Sequence, residues 1–134
     1  MIPEPLRELI ATGPLAHLVT LNADGSPQVS VIWIGLDGDD VVSGHMNLSL
    51  KLRNVRRDPR VAISLEAPRV PGVFLADNAV LHGHARVEEG GAFDVLDRLG
   101  KVYVGPAFTF PVNDRPGYVL RTTVDRVGGH GPWA

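Results

Sequence analysis

The sequence predicts a mainly β chain, an antiparallel barrel with two or three short helices packed outside it. Three observations lead there. The apolar segments are mostly short, and β-branched or alternating; clusters of Gly, Asp, Asn and Pro separate them; and neighbouring segments lie close enough to be joined as hairpins. About six or seven strands are expected. A parallel nucleotide-binding sheet is disfavoured, because no Gly-x-Gly-x-x-Gly follows the first strand and no Gly-x4-Gly-Lys-Ser/Thr occurs.

The chain opens on a short helix. Pro3 and Pro5 suit a first helical turn, Leu6, Leu9 and Ile10 follow at helical spacing, and Gly13-Pro14 stops the run. Leu15 to Leu21 changes to a β pattern that ends in the turn formers Asn22 to Pro27, and Gln28 to Ile34 returns as its partner. Asp37-Gly38 is a hairpin signal with Asp40 to Ser43 beyond it, so three antiparallel strands are expected to open the sheet. From Asn47 to Arg57, the spacing of Leu48, Leu52 and Val55 is helical, with Asn47 as the cap and Asp58-Pro59 as the stop.

Arg60 to Glu66 alternates as a fourth strand. After the loop Ala67 to Gly72, Val73 to Glu88 reads as one long strand or a bent pair, with Gly83 marking a bulge or a close backbone approach. Ala92 to Val102 puts Phe93, Leu96, Leu99 and either Val102 or Tyr103 on one helical stripe. Phe108 to Gly117 is too rich in turn residues for regular structure, Tyr118 to Val127 is the last strand, and a glycine-rich tail ends near Trp133.

With 134 residues, 44% of them hydrophobic, the chain forms one domain, residues 1–134, able to bury roughly two-thirds of its unfolded surface. The 13 basic and 15 acidic residues give a formal net charge of −2, so no global field draws the protein to nucleic acid or an anionic membrane. Zero cysteines remove disulfides, thiolate metal sites, iron–sulfur clusters and cysteine nucleophiles together. The N-terminus has acids and prolines where an export signal needs a basic start and an apolar stretch, and no apolar run approaches the ~20 residues of a membrane span. A cytoplasmic protein without a membrane or nucleic-acid partner is expected.

Lys51 to Arg60 holds five of the 13 basic residues, the strongest local anomaly in the chain. Arg53, Arg56, Arg57 and Arg60 follow i, i+3, i+4, i+7 spacing and would gather beside the apolar face, where guanidinium groups take phosphate oxygens bidentately. Lys51 lies near the helix start, where free N–H groups and the dipole also favour an anion, and Ser43 and Ser49 could add hydroxyl contacts. The plainer reading is a solvated charged face, partly paired with Asp58 and Glu66.

Other residues weigh less. His82 and His84 would point to one side of a strand, but no third metal ligand is evident beyond glycine-flanked His130, and no metal is expected. His45-Met46-Asn47 stands where strand meets helix, either touching a ligand or shaping the helix start. Trp33 is a core anchor or a ring neighbour, and Trp133 must pack somewhere, across a subunit interface or over a groove. His17, Ser30 and Asp24 form no nucleophile–base set.

The order Asp24-Gly25-Ser26-Pro27, a hairpin, and then Lys51-Leu-Arg-Asn-Val-Arg-Arg-Asp-Pro-Arg60 resembles the pyridoxamine 5′-phosphate oxidase-like split β-barrel proteins. Within them the chain is most similar to the actinobacterial branch of deazaflavin (coenzyme F-420)-dependent oxidoreductases. The resemblance implies an FMN-binding-like split barrel, one half of a homodimer with cofactors in grooves between the subunits. It makes Lys51 a phosphate contact, runs the backbone of Ser30, Val31, Ile32 and Trp33 along the ring, and sets Ser49 where relatives often carry an arginine or another phosphate-binding residue. It implies hydride transfer to a small organic substrate. An FMN-dependent oxidase or reductase, or a non-catalytic cofactor-binding protein, are the alternatives. No catalytic acid follows from it, which suits chemistry done by the cofactor ring.

Overall fold

Trp33 and Ile34 divide what the sequence presents as one strand. β1 (Ala16–Leu21) pairs with β2 (Pro27–Ile32), whereas the residues after the break form β3 (Gly35–Asp37), which pairs with β4 (Asp40–His45). β5 (Arg60–Glu66), β6 (Asn78–Glu89) and β7 (Tyr118–His130) complete one antiparallel sheet of order β2-β1-β5-β6-β7-β4-β3. β2 and β3 are therefore its two edges, joined through only two residues. The sheet is curled into a barrel left split between them, in this computed structural model, which describes residues 2–134.

The expectation of three consecutive hairpin strands is corrected here, and the reason is physical. β1 begins only after Gly13-Pro14, so β2 has no partner beyond Ile32. The Ile34 N–H donates instead to the Tyr103 hydroxyl at 3.0 Å, and that hydroxyl donates to the Pro14 carbonyl at 2.6 Å. Ile34 itself turns into the core.

α1 (Glu4–Ala11) buries Leu6 and Ile10 and packs against β3. α2 (Leu50–Arg57) buries Leu52, Asn54 and Val55 against β1 and β6. α3 (Ala92–Tyr103) covers the outside of β4, where Gly35 and Gly44 let it approach; a Cβ at Gly44 would stand 2.8 Å from Leu96 Cγ and 3.2 Å from the Ala92 carbonyl oxygen. Inside, Leu18, Ile63, Leu65, Leu81 and Leu120 point inward from the period-2 pattern of four strands onto Leu6 and Leu52. Each such side chain contributes roughly 1.5–3 kcal/mol by leaving water.

Three boundaries move. α2 starts at Leu50 with Ser49 as N-cap, not at Asn47, because the Asn47 side chain accepts from Arg115 and the Leu48 carbonyl from Arg53. The long strand starts at Asn78, not Val73. β5 ends at Glu66, leaving residues 73–77 without a ladder partner, and the Ala67 N–H closes the loop onto the Asp77 carbonyl. Phe74 in that loop is 99% exposed. The last strand runs to His130, and Trp133 folds back to donate from Nε1 to the Asn78 carbonyl at 2.9 Å, packing on the chain's own core. Of the two readings of Gly83, the close backbone approach is the one present, against the Thr123 carbonyl; the register does shift after His82, but the extra residue, Asp125, lies on β7. No helix among the described residues is long and apolar enough to cross a membrane.

Candidate functional site

The split brings the end of β2, the end of β4 and the first turn of α2 around one open cleft of about 420 Å³. Val31, Ile32 and Trp33 form its β2 side, Leu15, Leu96 and Phe110 add apolar wall, and His45 and Lys51 are its titratable groups. β2 is an edge strand, and an edge presents backbone N–H and C=O groups that no ladder uses.

The aromatic part of the wall is fixed from behind. Trp33 stacks on Tyr103 with centroids 5.3 Å apart and meets Phe108 edge-on at 6.2 Å; Phe110 meets Phe93 edge-on at 6.0 Å. Asp97 on α3 accepts from the Phe110 N–H at 2.9 Å and from Lys101 at 2.8 Å, while Lys101 also donates to the Phe108 carbonyl at 3.0 Å. Those contacts hold the Asp97 carboxyl below the usual carboxylate range, the Lys101 bond first. Trp33 is thus half-buried, both packed and cleft-facing.

Lys51 brings the first turn of α2 to one end of the cleft, and Ser49 lies behind it, outside the lining. Ser49 is the N-cap of α2 yet makes no capping bond, and its Oγ is buried without a partner, the one such side-chain atom among the described residues. An unmet buried hydroxyl costs about 1–3 kcal/mol, and the first N–H groups of a helix need acceptors as well. Lys51, half-buried one residue into the helix, makes no ion pair among the described residues. A phosphate group fits this set of donors.

The arginines expected to join them do not. Arg53 turns back to the Leu48 carbonyl at 2.8 Å; Arg56 bridges to Glu89 at 3.6 Å with its guanidinium 5.9 Å from the Tyr118 ring centroid; Arg57 donates to the Leu21 carbonyl and Asn54; and Arg60 grips Asp58 at 2.7 Å. None of the four lines the cleft. Arg60 lies beyond Asp58-Pro59 at the start of β5, so helical spacing aligned only Arg53, Arg56 and Arg57, and each side chain found a nearer carbonyl or carboxylate. Arg60 holds the Asp58 carboxyl down to about 2.

Ser30 points away from the cleft and exchanges hydrogen bonds with the Gln28 amide, so it offers backbone only. Ser43 is almost fully buried and bonds His45 Nε2 at 2.8 Å. Of His45-Met46-Asn47, the last two are pinned by Arg115 through the Met46 carbonyl and the Asn47 side chain. His45 faces the cleft, where burial first and the nearby Lys51 second push its pKa down to about 4. Its sequence signal was its position where strand meets helix, ahead of Lys51. His84 pairs with Asp125, and no group of three or more His, Asp or Glu among the described residues is placed to hold a metal ion.

Residues 2–131 match the pyridoxamine 5′-phosphate oxidase family. No protein of curated function matches the chain in sequence. Among solved structures, an F420 reductase superposes with a TM-score of 0.78 at 23% identity, over 95% of this chain and 98% of its own. A conserved hypothetical protein from Mycobacterium tuberculosis gives 0.76 at 20% identity, over 96% and 84%. A heme binding protein from Mycobacterium smegmatis gives 0.71 at 27% identity, over all of this chain and 57% of that one. With the match running almost from end to end of a sheet split at Trp33–Ile34, the chain belongs to the pyridoxamine 5′-phosphate oxidase family.

Proposed function

We propose that the protein is an oxidoreductase that holds a deazaflavin, coenzyme F-420, in the cleft between Val31 and Lys51 and passes a hydride to a small organic substrate. One observation carries this reading: Lys51, which makes no ion pair among the described residues, stands in the cleft wall beside Val31 to Trp33 of the edge strand, in the first turn of α2, whose N-cap Ser49 makes no capping bond. A phosphate would be met by hydroxyl, amide and ammonium donors at one end. A flat heterocycle would find unpaired strand amides along its edge and apolar wall from Leu15, Leu96 and Phe110 over its face. The bound ring supplies the hydride chemistry. The protein's residues orient it and exclude water.

The resemblance to the deazaflavin-dependent branch supports F-420. The second reading is FMN, because Ser49 and Lys51 recognise a phosphate and not the ring attached to it. Val29 and Val31, 57% and 58% exposed on the outer side of β2, suit a second copy of the chain that completes the groove as a homodimer. A carrier that binds a cofactor without turnover is separated from an enzyme by offering the reduced complex a broad panel of acceptors.

The experiment is a titration of the purified protein with FMN and with coenzyme F-420, repeated with Lys51→Ala. Purified yellow protein, or tight FMN uptake, selects FMN; colourless protein that quenches F-420 fluorescence selects the deazaflavin. Lys51→Ala is expected to weaken the bound form about tenfold or more, as for a lost charge-assisted contact. Equal affinity in the variant removes Lys51 from the site, and binding of neither ring ends the reading.

A further inference from the structure

We infer that His45 is a ligand-contacting residue of this cleft, its Nδ1 offered to the polar edge of the bound ring while Ser43 holds Nε2. The inference rests on the cofactor reading above. His45 ends β4, and Ser43 lies two residues earlier on the same side of the strand. Ser43 is only 3% exposed, and its hydroxyl bonds the imidazole at 2.8 Å and no other side chain among the described residues. That bond fixes the rotation of the ring. Nδ1 has no hydrogen-bond partner in the described chain, yet the imidazole lines the cleft that also holds Lys51, Val31 and Trp33.

A neutral imidazole carries one donor and one acceptor, and a hydroxyl can satisfy either. Nδ1 therefore presents the complementary role to whatever enters. Burial and the adjacent ammonium keep the ring uncharged, so His45 does not add a second cation to the anion end. It is placed for a heterocycle's N–H or C=O group, and Lys51 with Ser49 for its phosphate. A purely packing role would need no polar atom in the cleft wall.

The geometry of amide side chains provides the test. Asparagine sets its amide near the Nδ1 position of histidine, whereas glutamine reaches the Nε2 position. FMN and coenzyme F-420 are titrated into the purified full-length wild type, His45→Asn, His45→Gln and His45→Leu, with the visible absorption band of the bound ring recorded and inorganic phosphate used as a competitor. Gln and Leu are expected to weaken ring binding about five- to tenfold, the worth of one neutral hydrogen bond, and to shift the band. Asn is expected to restore both, and phosphate competition with the phosphate-bearing cofactor that binds is expected to persist in all four proteins. Rescue by Gln and not Asn would assign His45 to holding Ser43, and wild-type binding by Leu would remove it from the site; either overturns the inference while the cofactor reading stands. Failure of the wild type to bind either ring overturns both.

Discussion

Asn54, fully buried on α2, donates from its side-chain amide to Thr20 Oγ1 at 3.1 Å, tying the helix that carries Ser49 and Lys51 to the end of β1. The same amide donates to Asn22 Oδ1 at 2.9 Å, and Asn54 Oδ1 accepts from Arg57. A connected buried network of this kind is costly to break at one member. Asn54→Ala removes the donor to the Thr20 and Asn22 oxygens at once and leaves Arg57 only the Leu21 carbonyl. It is expected to lower stability by about 2–3 kcal/mol in urea unfolding, and to loosen phosphate-dependent binding because α2 loses its anchor.

Gly83 faces the point where β7 bulges at Asp125, and a Cβ there would press into the carbonyl oxygen of Thr123. Backbone cannot yield as a flexible side chain does. Gly83→Ala is expected to cost about 1–3 kcal/mol as overpacking, read as a lower urea midpoint with an unchanged slope. Alanine at Gly72, where nothing lies within 4 Å, is the contrasting control for crowding, although its φ of +84° adds backbone strain there.

Gly83 was legible in the sequence because a glycine inside an alternating strand has a local meaning, as do Asp37-Gly38 and Asp58-Pro59. The split at Trp33–Ile34 was not. Ile32 and Ile34 continue the inward alternation without a break, and the change of partner depends on where β1 begins and on Tyr103, which arrives from 69 residues away. The arginines of α2 illustrate the same limit from the other side. Periodicity placed the Cα atoms of Arg53, Arg56 and Arg57, but the Leu21 and Leu48 carbonyls and Glu89 decide where the guanidinium groups go. His45 was legible only as part of the His45-Met46-Asn47 junction, with ligand contact and helix entry both open, because its burial is a property of the assembled barrel, whereas Lys51 could be singled out from the local pattern.

His45 gives stability a pH signature. Its pKa falls from 6.5 to about 4 on folding, so between these values the unfolded chain binds a proton that the folded chain does not. Stability is fully present above the unfolded value and falls as pH drops toward 4, by an amount on the order of 3 kcal/mol for a shift of this size. The lowered carboxyls of Asp24, Asp58 and Asp97 act below the ordinary carboxylate value of 3.8, outside this window. Urea unfolding of the wild type at pH 7 and pH 4.5 is therefore expected to differ by more than that of His45→Asn. Parallel losses in the two proteins would show that His45 already titrates normally in the fold.

Tyr103 is the residue on which the split itself depends. Its hydroxyl accepts from the Ile34 N–H and donates to the Pro14 carbonyl, closing the gap where β2 runs out of partner, and its ring stacks on Trp33 at the cleft. Burial raises its pKa, which keeps the phenol protonated and able to donate at neutral pH. Tyr103→Phe preserves the stack while leaving the Ile34 N–H and the Pro14 carbonyl unmet, at a cost of about 1–3 kcal/mol. Because Trp33 is adjacent to Ile34, the variant is also expected to bind the ring cofactor several-fold more weakly while phosphate competition is retained. Tyr103→Leu removes the stack as well and should widen the loss. If Tyr103→Phe instead unfolds and binds as the wild type does, the two backbone groups have found other partners, and the position of Trp33 is set by Phe108 and the stacking contact alone.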